Sequence, residues 1–417
     1  MTTTISSGTS LRIASCLTSF GLVLLVTGCQ LDVTNPGPIQ AEALEDTKAL
    51  GAVVNGAGRD LAEALNWVAY TGGAVSREIF PAGSTGSFGI TPRQQNGILA
   101  DDDGNDWWNQ AQRARWTAED AVDRVKRVLP TANTSVNLAQ ALIWAGYANR
   151  LLGENFCDGV INSGPKEPYT VYLERAEANF TEAITVATAA NNANLVTAAT
   201  AGRASVRLDR NNLTAAATDA ATVANAYLYR MPYFTTDLDQ YNRVYWASAN
   251  QPYRAHTVWN TFYDSYRKTT RDPRVPFDSS ATVLVGDAAV GNLGRVRWYF
   301  QTKYSGQTSP INLVTGWEMR LIEAEAKLVA GDVTGAMTLV NAHRVSLSLT
   351  PWSAANATEA WTALKRERGI ELWLEGRRLG DFRRWAALNR PGTSDDMTGR
   401  DLCFATPLSE KETNPNF

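Results

Sequence analysis

Three glutamates at helical spacing, Glu367, Glu371 and Glu375, are the residues of this chain whose type and pattern most suggest chemistry. Two carboxylates can act as a general acid and as a base or nucleophile, as they do in glycosidases. The chain has only 2 histidines among 417 residues, so it nearly lacks the most common general base. It also lacks a Walker loop, a dinucleotide-binding fingerprint, a G-x-S-x-G elbow, an H-E-x-x-H motif and a cysteine cluster. Any catalysis would have to rely on carboxylates.

The helix that carries these glutamates also suggests a structural interpretation. Ile370 falls on one side of the predicted helix and Leu372 and Leu379 fall on the opposite side, so both flanks are expected to be buried. Carboxylates between two buried flanks repel one another and are costly to bury without partners. Arginine is a suitable partner, because its planar guanidinium can bridge carboxylates from several segments. We therefore expect a structural clamp formed by Glu367, Glu371, Glu375 and Arg378, and a catalytic pair is the alternative.

The N-terminus has the features of a bacterial lipoprotein signal. An apolar run from Leu17 to Val26 leads into Val26-Thr27-Gly28-Cys29, which has the pattern of a lipobox. Cleavage before Cys29 would leave that cysteine as the lipidated first residue, so the chain would be anchored to a membrane without spanning it. We expect a signal peptide at 1–28 and an extended tether at 29–40. The alternative is an ordinary secretory signal or a short buried helix.

The remaining cysteines suggest a disulfide. Cleavage would remove Cys16 and lipidation would use Cys29, which leaves Cys157 and Cys403 of the 4 cysteines in the chain. In an oxidising compartment two such thiols can form a bond. The alternative is two separate buried thiols, and only their geometry can decide between these possibilities.

The composition excludes several classes of partner. The 39 basic and 42 acidic residues give a net charge of −3 and are mixed along the chain, which indicates neither nucleic acid nor an anionic membrane surface as a partner. After the leader, no apolar stretch approaches the roughly 18 residues that a membrane helix needs. No spacing of ligating residues suggests a metal site, and we expect no cofactor.

Helical patterns with alanine at close-packing positions recur along the chain. They cover residues 41–68, 106–129, 136–153, 171–190, 195–210, 213–229, 317–330, 333–347 and 356–379. Pairs of such helices must stack on further pairs to bury their apolar faces, as tetratricopeptide units do. No Ser/Gly-rich linker divides them, so we expect a mostly α fold with a tetratricopeptide-like helix-pair scaffold in one domain at 41–417.

Two long segments, 71–105 and 230–316, interrupt the helical patterns. Loops of this length within one domain usually carry function or small structures of their own. An aromatic ring can cover the flat C–H face of a sugar while nearby amides bind its hydroxyls. The first segment offers Phe80 and Phe88, and the second, which we favour, offers Tyr245, Trp246, Tyr253 and Trp259, next to Tyr241. The alternative for each ring is that it packs its own loop.

Four motifs near the C-terminus occur in an order that resembles one family. They are T-R-D-P-R-V from Thr270, K-Y at Lys303 followed by E-M-R-L-I-E-A-E-A-K ending at Lys327, E-R-x-x-E-L-x-x-E-G-x-R-x-x-D-F-x-R-W from Glu367, and P-L-S-E-K-E-T-N-P-N from Pro407. Together they resemble the C-terminal part of the SusD/RagB outer-membrane lipoproteins. Through the rest of the chain the resemblance is limited to the layout of helices and loops.

The resemblance implies a function in binding, without catalysis. It implies a lipid-anchored protein on the outer membrane, facing outward, which captures a nutrient polymer, most often a glycan, and delivers it to a SusC-like TonB-dependent transporter. The resemblance also implies that the two long segments form the ligand face. The alternatives are a peptide-binding uptake lipoprotein of the same family and a helix-repeat envelope scaffold that binds no ligand.

Overall fold

Alanine-rich amphipathic helices form most of this protein. The computed structural model describes residues 41–88, 90–103, 105–250, 253–394 and 397–417. The predicted signal peptide, the tether and the lipidation site Cys29 lie outside the described residues. Within the described part, no helix is long and apolar enough to cross a bilayer.

The helices follow one another along the chain with few strands between them. They are α1 (Leu50–Val75), α2 (Pro92–Gln95), α3 (Asn105–Val128), α4 (Val136–Asn155), α5 (Thr170–Ala189), α6 (Ala193–Asp209), α7 (Leu213–Ala221), α8 (Arg243–Ser248), α9 (Phe262–Thr270), α10 (Gly316–Val329), α11 (Val333–Val340), α12 (Ala342–Ser346), α13 (Ala357–Glu371), α14 (Arg378–Ala387) and α15 (Leu408–Thr413). Side-chain caps mark several starts, such as Ser135 for α4 and Asn192 for α6.

The strands are short and pair two at a time, always antiparallel. They are β1 (Phe80–Pro81), β2 (Asp158–Gly159), β3 (Glu167–Pro168), β4 (Leu228–Met231), β5 (His256–Thr257), β6 (Phe277–Ser279), β7 (Tyr299–Gln301) and β8 (Ile311–Thr315). The pairs are β1 with β5, β2 with β3, β4 with β8, and β6 with β7. Each pair fastens a loop to the helices or to another loop.

Consecutive long helices pack against one another from α3 to α7, and α1 packs against α3 and α4. Phe180 of α5 shows how closely they approach, because its ring lies between Gly146 of α4 and Gly202 of α6. A Cβ atom added to Gly146 or Gly202 would come within 2.6 or 2.5 Å of that ring. The prediction of a mostly helical fold built from helix pairs with long irregular insertions is confirmed.

Some predicted helix boundaries are wrong. Residues 213–229 do not form one helix, because α7 ends at Ala221 and β4 pairs with β8 instead. The pattern at 333–347 is divided between α11 and α12. At the start of the domain, α1 begins at Leu50 and continues to Val75, into the segment predicted to be a loop. Pairing and packing with distant residues outweigh local periodicity at these ends.

The C-terminal helix predicted at 356–379 is also broken. It stops at Glu371, and a turn with positive φ at Leu374 (61°) and Gly376 (74°) separates α13 from α14. Distant groups hold this turn: the Leu374 amide donates to the Glu78 carboxylate at 2.9 Å, and its carbonyl accepts from the Tyr304 hydroxyl at 2.9 Å. These tertiary hydrogen bonds stabilise a backbone conformation that leucine rarely adopts.

A disulfide joins Cys157 and Cys403, whose Cα atoms are 5.1 Å apart. It lies just after α4 and connects this helix to the C-terminal segment. Backbone hydrogen bonds flank it, with the Phe404 amide donating to Asn155 at 2.7 Å and the Cys157 amide donating to Phe404 at 3.0 Å. The C-terminal segment is therefore fixed to the scaffold by both covalent and hydrogen bonds.

Candidate ligand-binding site

The two segments predicted to carry ligand-binding aromatics meet in the structure. Strand β1 pairs with β5, so that Phe80 lies opposite Thr257 and Pro81 opposite His256. The rings of Phe80 and Trp259 touch edge to face, with centroids 5.7 Å apart. The first and second segments therefore contribute to one continuous region.

Three rings of the second segment form what we call the aromatic shelf: Tyr241, Trp246 and Tyr253. The Trp246 ring lies between the other two, with centroids 5.3 Å from Tyr241 and 5.2 Å from Tyr253. Tyr253 is 39% exposed, and the other two rings are half-buried. These aromatic contacts hold the three rings together, and Tyr253 is the most exposed of them.

Helix α1 and a polar cap position the shelf. Asn242 caps α8 by accepting from the Tyr245 amide at 3.0 Å, and its own amide group donates to the Ser309 carbonyl at 2.8 Å. Asn66 of α1 accepts from the Arg243 amide at 2.6 Å and donates to the Tyr241 carbonyl. The shelf is therefore attached to the helical scaffold on both sides of Asn242.

The other predicted ligand-binding rings have different surroundings. Tyr245 is half-buried and, like Trp246, packs against the main hydrophobic core, but it has no ring contact with the shelf among the described residues. Trp259 and Phe80 are half-buried and pack against each other. Phe88 ends a short 3-10 helix, and its side chain lies outside the described part of the structure. Of the predicted residues, Trp246 and Tyr253 thus have rings in contact with each other, and Phe80 lines a cavity.

This cavity, which we call the Phe80 pocket, has a volume of about 490 Å³. Its walls include Arg77, Phe80, Pro81, Gln95, Asn96 and Arg400. The size is within the range of small-molecule sites, and the wall combines apolar, amide and cationic groups. No carboxylate belongs to the described residues that line it.

Arg77 occupies an unusual backbone position at the end of α1. Its φ is 63°, its amide bonds to the Ala74 carbonyl at 3.3 Å, and the Glu78 amide bonds to the Gly73 carbonyl at 2.8 Å. This is the Schellman arrangement, in which glycine is the usual residue at the left-handed position. Arg77 is half-buried, and across the described ranges its guanidinium makes no hydrogen bond or ion pair. The sequence prediction missed Arg77, because it ended the first helix too early.

Arg400, the second cation of the pocket, is engaged with the backbone. It donates to the Val75 carbonyl at 2.8 Å and to the Gln95 carbonyl at 3.3 Å. Its aliphatic stem lies against Gly97, where φ is 88° and a Cβ atom would overlap it. Arg400 therefore joins the C-terminal segment to the first loop segment and helps to shape the pocket wall.

The predicted clamp residues lie in a buried network of ion pairs. Glu367 accepts from Arg274 at 2.5 Å and from Arg344 at 3.3 Å. Glu371 accepts from Arg274 at 3.1 Å and lies 2.7 Å from the His343 ring nitrogen. Burial opposes ionisation of Glu371, but its contacts with His343 and Arg274 outweigh this cost and lower its pKa.

Glu375 and Arg378 have other partners. Glu375 accepts from the Lys303 ammonium at 2.8 Å, and burial raises the pKa of this carboxyl in spite of that contact. Arg378 donates to the Lys365 carbonyl at 3.0 Å and lies 4.4 Å above the centre of the Phe382 ring. Glu367 and Glu371 thus share Arg274, whereas Glu375 and Arg378 contact other parts of the chain.

Catalysis by the two central carboxylates would require access to a substrate. Glu371 is 9% exposed and Glu375 is 2% exposed, and each is bound by a basic side chain. A general acid or nucleophile must come within hydrogen-bonding distance of the bond that it cleaves. This arrangement favours a structural role for both glutamates.

The sequence prediction did not include some exposed aromatic residues, Trp116 among them. Trp116 of α3 is 54% exposed and lies on the rim of two cavities of about 500 and 380 Å³. Its position could have been recognised, because it is out of phase with Ala111, Ala118 and Val122, which form the buried face of the same helix.

Comparison with known proteins gives a consistent result. Residues 235–416 match the model of the SusD family. A SusD superfamily protein from Bacteroides thetaiotaomicron has the same fold, with a TM-score of 0.68 and 15% identity over 89% of this chain and 98% of that chain. A SusD superfamily protein from Bacteroides vulgatus gives a TM-score of 0.66 and 14% identity, over 89% and 98%.

A SusD-like carbohydrate binding protein from Bacteroides vulgatus gives a TM-score of 0.61 and 16% identity, over 84% of this chain and 85% of that chain. Among curated proteins, none has a sequence that matches this chain. At these identities the solved structures establish a shared fold and leave the ligand of this chain to be argued from its own residues.

Proposed function

We propose that this chain of the SusD family is a cell-surface lipoprotein that binds a nutrient glycan and delivers it to a SusC-like TonB-dependent transporter. Its place in the family rests on the match of residues 235–416 to the family model and on the shared fold. In this proposal Cys29 carries the lipid that anchors the protein to the outer membrane. The protein binds its ligand without converting it. A relative with this fold that is described as carbohydrate binding supports the choice of a glycan.

The aromatic shelf is the observation that carries this proposal. Three adjoining rings, one of them 39% exposed, provide a surface on which the flat faces of sugar rings can stack. Asn250, between Trp246 and Tyr253 in the sequence, is half-buried and offers an amide for sugar hydroxyls. The shelf rests on α1 through Asn66, so it is rigid before a ligand arrives.

Binding to the shelf can be tested with Trp246→Ala and Tyr253→Ala in the detergent-purified lipoprotein. Calorimetric titration with a panel of neutral oligosaccharides should show saturable binding that either substitution weakens about tenfold or more. Phe234→Ala is the matched control, because Phe234 is a 54% exposed ring outside the shelf. Binding of peptides alone, or binding of neither neutral nor acidic oligosaccharides, would contradict the proposal, and the absence of any binding would favour an envelope scaffold.

The anchor and the transporter need separate tests. Cys29→Ala should abolish incorporation of radiolabelled palmitate and, since the lipid is the proposed anchor, release the protein from the outer membrane. The wild-type protein should co-purify with a large TonB-dependent receptor after mild cross-linking of whole cells. A lipoprotein that is recovered only in the periplasmic fraction would refute the surface location.

A further inference from the structure

The wall of the Phe80 pocket carries positive charge, and within the described residues Arg77 has no anionic partner there. Arg77 and Arg400 both belong to its wall, and no described lining residue is acidic. Arg400 already donates to backbone carbonyls. Arg77, within the described part of the chain, has no hydrogen-bonding or ionic partner for its side chain. This half-buried guanidinium is therefore available to bind an anion that enters the pocket.

Several acidic residues close in the sequence to the pocket wall are engaged elsewhere. Glu78 is 1% exposed, and its carboxylate accepts from the Leu374 amide at 2.9 Å. Asp102 and Asp103 are both bound by Arg93, at 2.7 and 2.9 Å. The Asp401 carboxylate accepts from the Leu99 amide at 2.7 Å. The anion for Arg77 must therefore come from outside this set.

The backbone indicates that the arginine is there for its side chain. Arg77 sits at a left-handed helix end where glycine or asparagine is easier to accommodate. Its charge does not contribute to an ion pair within the described fold. Strained backbone positions at the wall of a cavity are often functional.

We propose that the Phe80 pocket binds an acidic sugar unit, with the Arg77 guanidinium holding its carboxylate, so that the glycan captured by this protein contains uronic acids. This inference rests on the proposed glycan-binding function and specifies its ligand class. The planar guanidinium matches a carboxylate in a bidentate arrangement. Phe80 provides a ring for the sugar face, and Gln95 and Asn96 provide amides for hydroxyls. Strand pairing of β1 with β5 connects this pocket to the segment that carries the shelf.

The test compares a charged ligand with the same trisaccharide whose carboxyl groups are neutralised by methyl esterification. Trigalacturonate and its fully methyl-esterified form are titrated into the wild-type lipoprotein at low and moderate salt. Binding of the charged form should be about tenfold or more tighter, and the difference should shrink as salt rises. A sulfated trisaccharide is a third ligand: if it binds as tightly as trigalacturonate, the pocket recognises any anion and the assignment to uronic acids is overturned.

Substitutions at Arg77 locate the effect. Arg77→Asn suits the left-handed backbone and removes the charge, so it should keep the fold and lose the preference for the charged ligand. Arg77→Lys should retain part of the preference. Equal binding of both forms by the wild type, or a preference that survives Arg77→Asn, overturns the proposal. A peptide that binds more tightly than trigalacturonate and depends on Arg77 overturns it as well.

The same experiment separates this inference from the proposed function. The shelf is supported if neutral oligosaccharides bind normally to Arg77→Asn and poorly to Trp246→Ala. The charged ligand tests the pocket independently. If neutral and charged glycans both fail to bind, the proposed function fails together with the inference. If both bind equally well to the wild type, only the inference fails.

Discussion

Glu367 is the carboxylate at which the buried charge network can be tested most directly. It is 1% exposed and accepts from Arg274 at 2.5 Å, from Arg344 at 3.3 Å and from the Trp352 indole at 2.7 Å. The three donors belong to separate segments, so the carboxylate connects α13 with the loop after α9, with α12 and with the loop between α12 and α13. We predict that Glu367→Gln destabilises the protein without affecting ligand binding.

The expected magnitude follows from what the substitution leaves behind. Glutamine has nearly the same shape but no charge, and its NH₂ group is itself a donor. Arg344, which is 2% exposed, forms its ion pair with Glu367, and no other carboxylate in the described residues pairs with it. Breaking a buried pair and leaving one charge uncompensated costs about 3 to 5 kcal/mol. For a chain of this size the loss corresponds to a decrease in Tm of about 4 to 6 °C.

Thermal unfolding followed by circular dichroism measures this decrease, and oligosaccharide titration well below the Tm measures binding. Glu412→Gln is the matched control, because Glu412 is exposed, and a change at such a surface site should stay within about 0.5 kcal/mol. A Glu367→Gln variant that unfolds at the wild-type temperature would refute the clamp. Loss of a glycan-cleaving activity at unchanged stability would instead support the catalytic alternative.

Three further predictions concern stability. Gly202→Ala should overpack the Phe180 ring and lower the free energy of unfolding by about 1 to 3 kcal/mol, less the gain in helix propensity. Gly56→Ala is the control, because Gly56 is exposed and has no neighbour within 4 Å of an added Cβ atom. It should stabilise α1 by up to about 1 kcal/mol, and urea unfolding measures both changes. Cys157→Ser removes a disulfide that spans 246 residues and should lower the free energy of unfolding by at most about 5 kcal/mol. The variant should have a lower Tm than the wild type, and added reductant should no longer change that Tm. Burial lowers the pKa of His256 to about 3, so the unfolded chain binds a proton that the folded chain does not, and stability should decrease as pH falls from about 6.5 to 3. Its substitution by Gln should flatten this dependence in chemical unfolding at several pH values, and an unchanged slope would contradict the assignment.

Much of the scaffold could be predicted from the sequence. The long helices α3 to α6 have a continuous apolar face and side-chain or turn signals at their ends, so local information is enough to find them within a few residues. The prediction was wrong where strand pairing or distant hydrogen bonds intervene, as at β4 and in the turn around Leu374. Local periodicity contains no record of such partners.

The candidate ligand-binding residues could be predicted only in part from the sequence. The sequence indicated a ligand site in the aromatic-rich loops, and the rings of Trp246 and Tyr253 contact each other in the structure. Arg77 was not found, because its importance depends on a backbone conformation, on a cavity and on the absence of a partner among the described residues. None of these three properties can be predicted from the presence of an arginine at position 77 of the sequence.

The sequence by itself determined that the glutamates of the C-terminal motif need positive partners, because carboxylates among closely spaced apolar residues are costly to bury alone. Only the tertiary structure decided which partners they have. Arg274 is 93 residues from Glu367, and Lys303 is 72 residues from Glu375. Contacts over such separations form only when the intervening loops of the chain have closed. The local sequence therefore shows that a glutamate needs a positive partner, but the tertiary structure decides which residue that partner is.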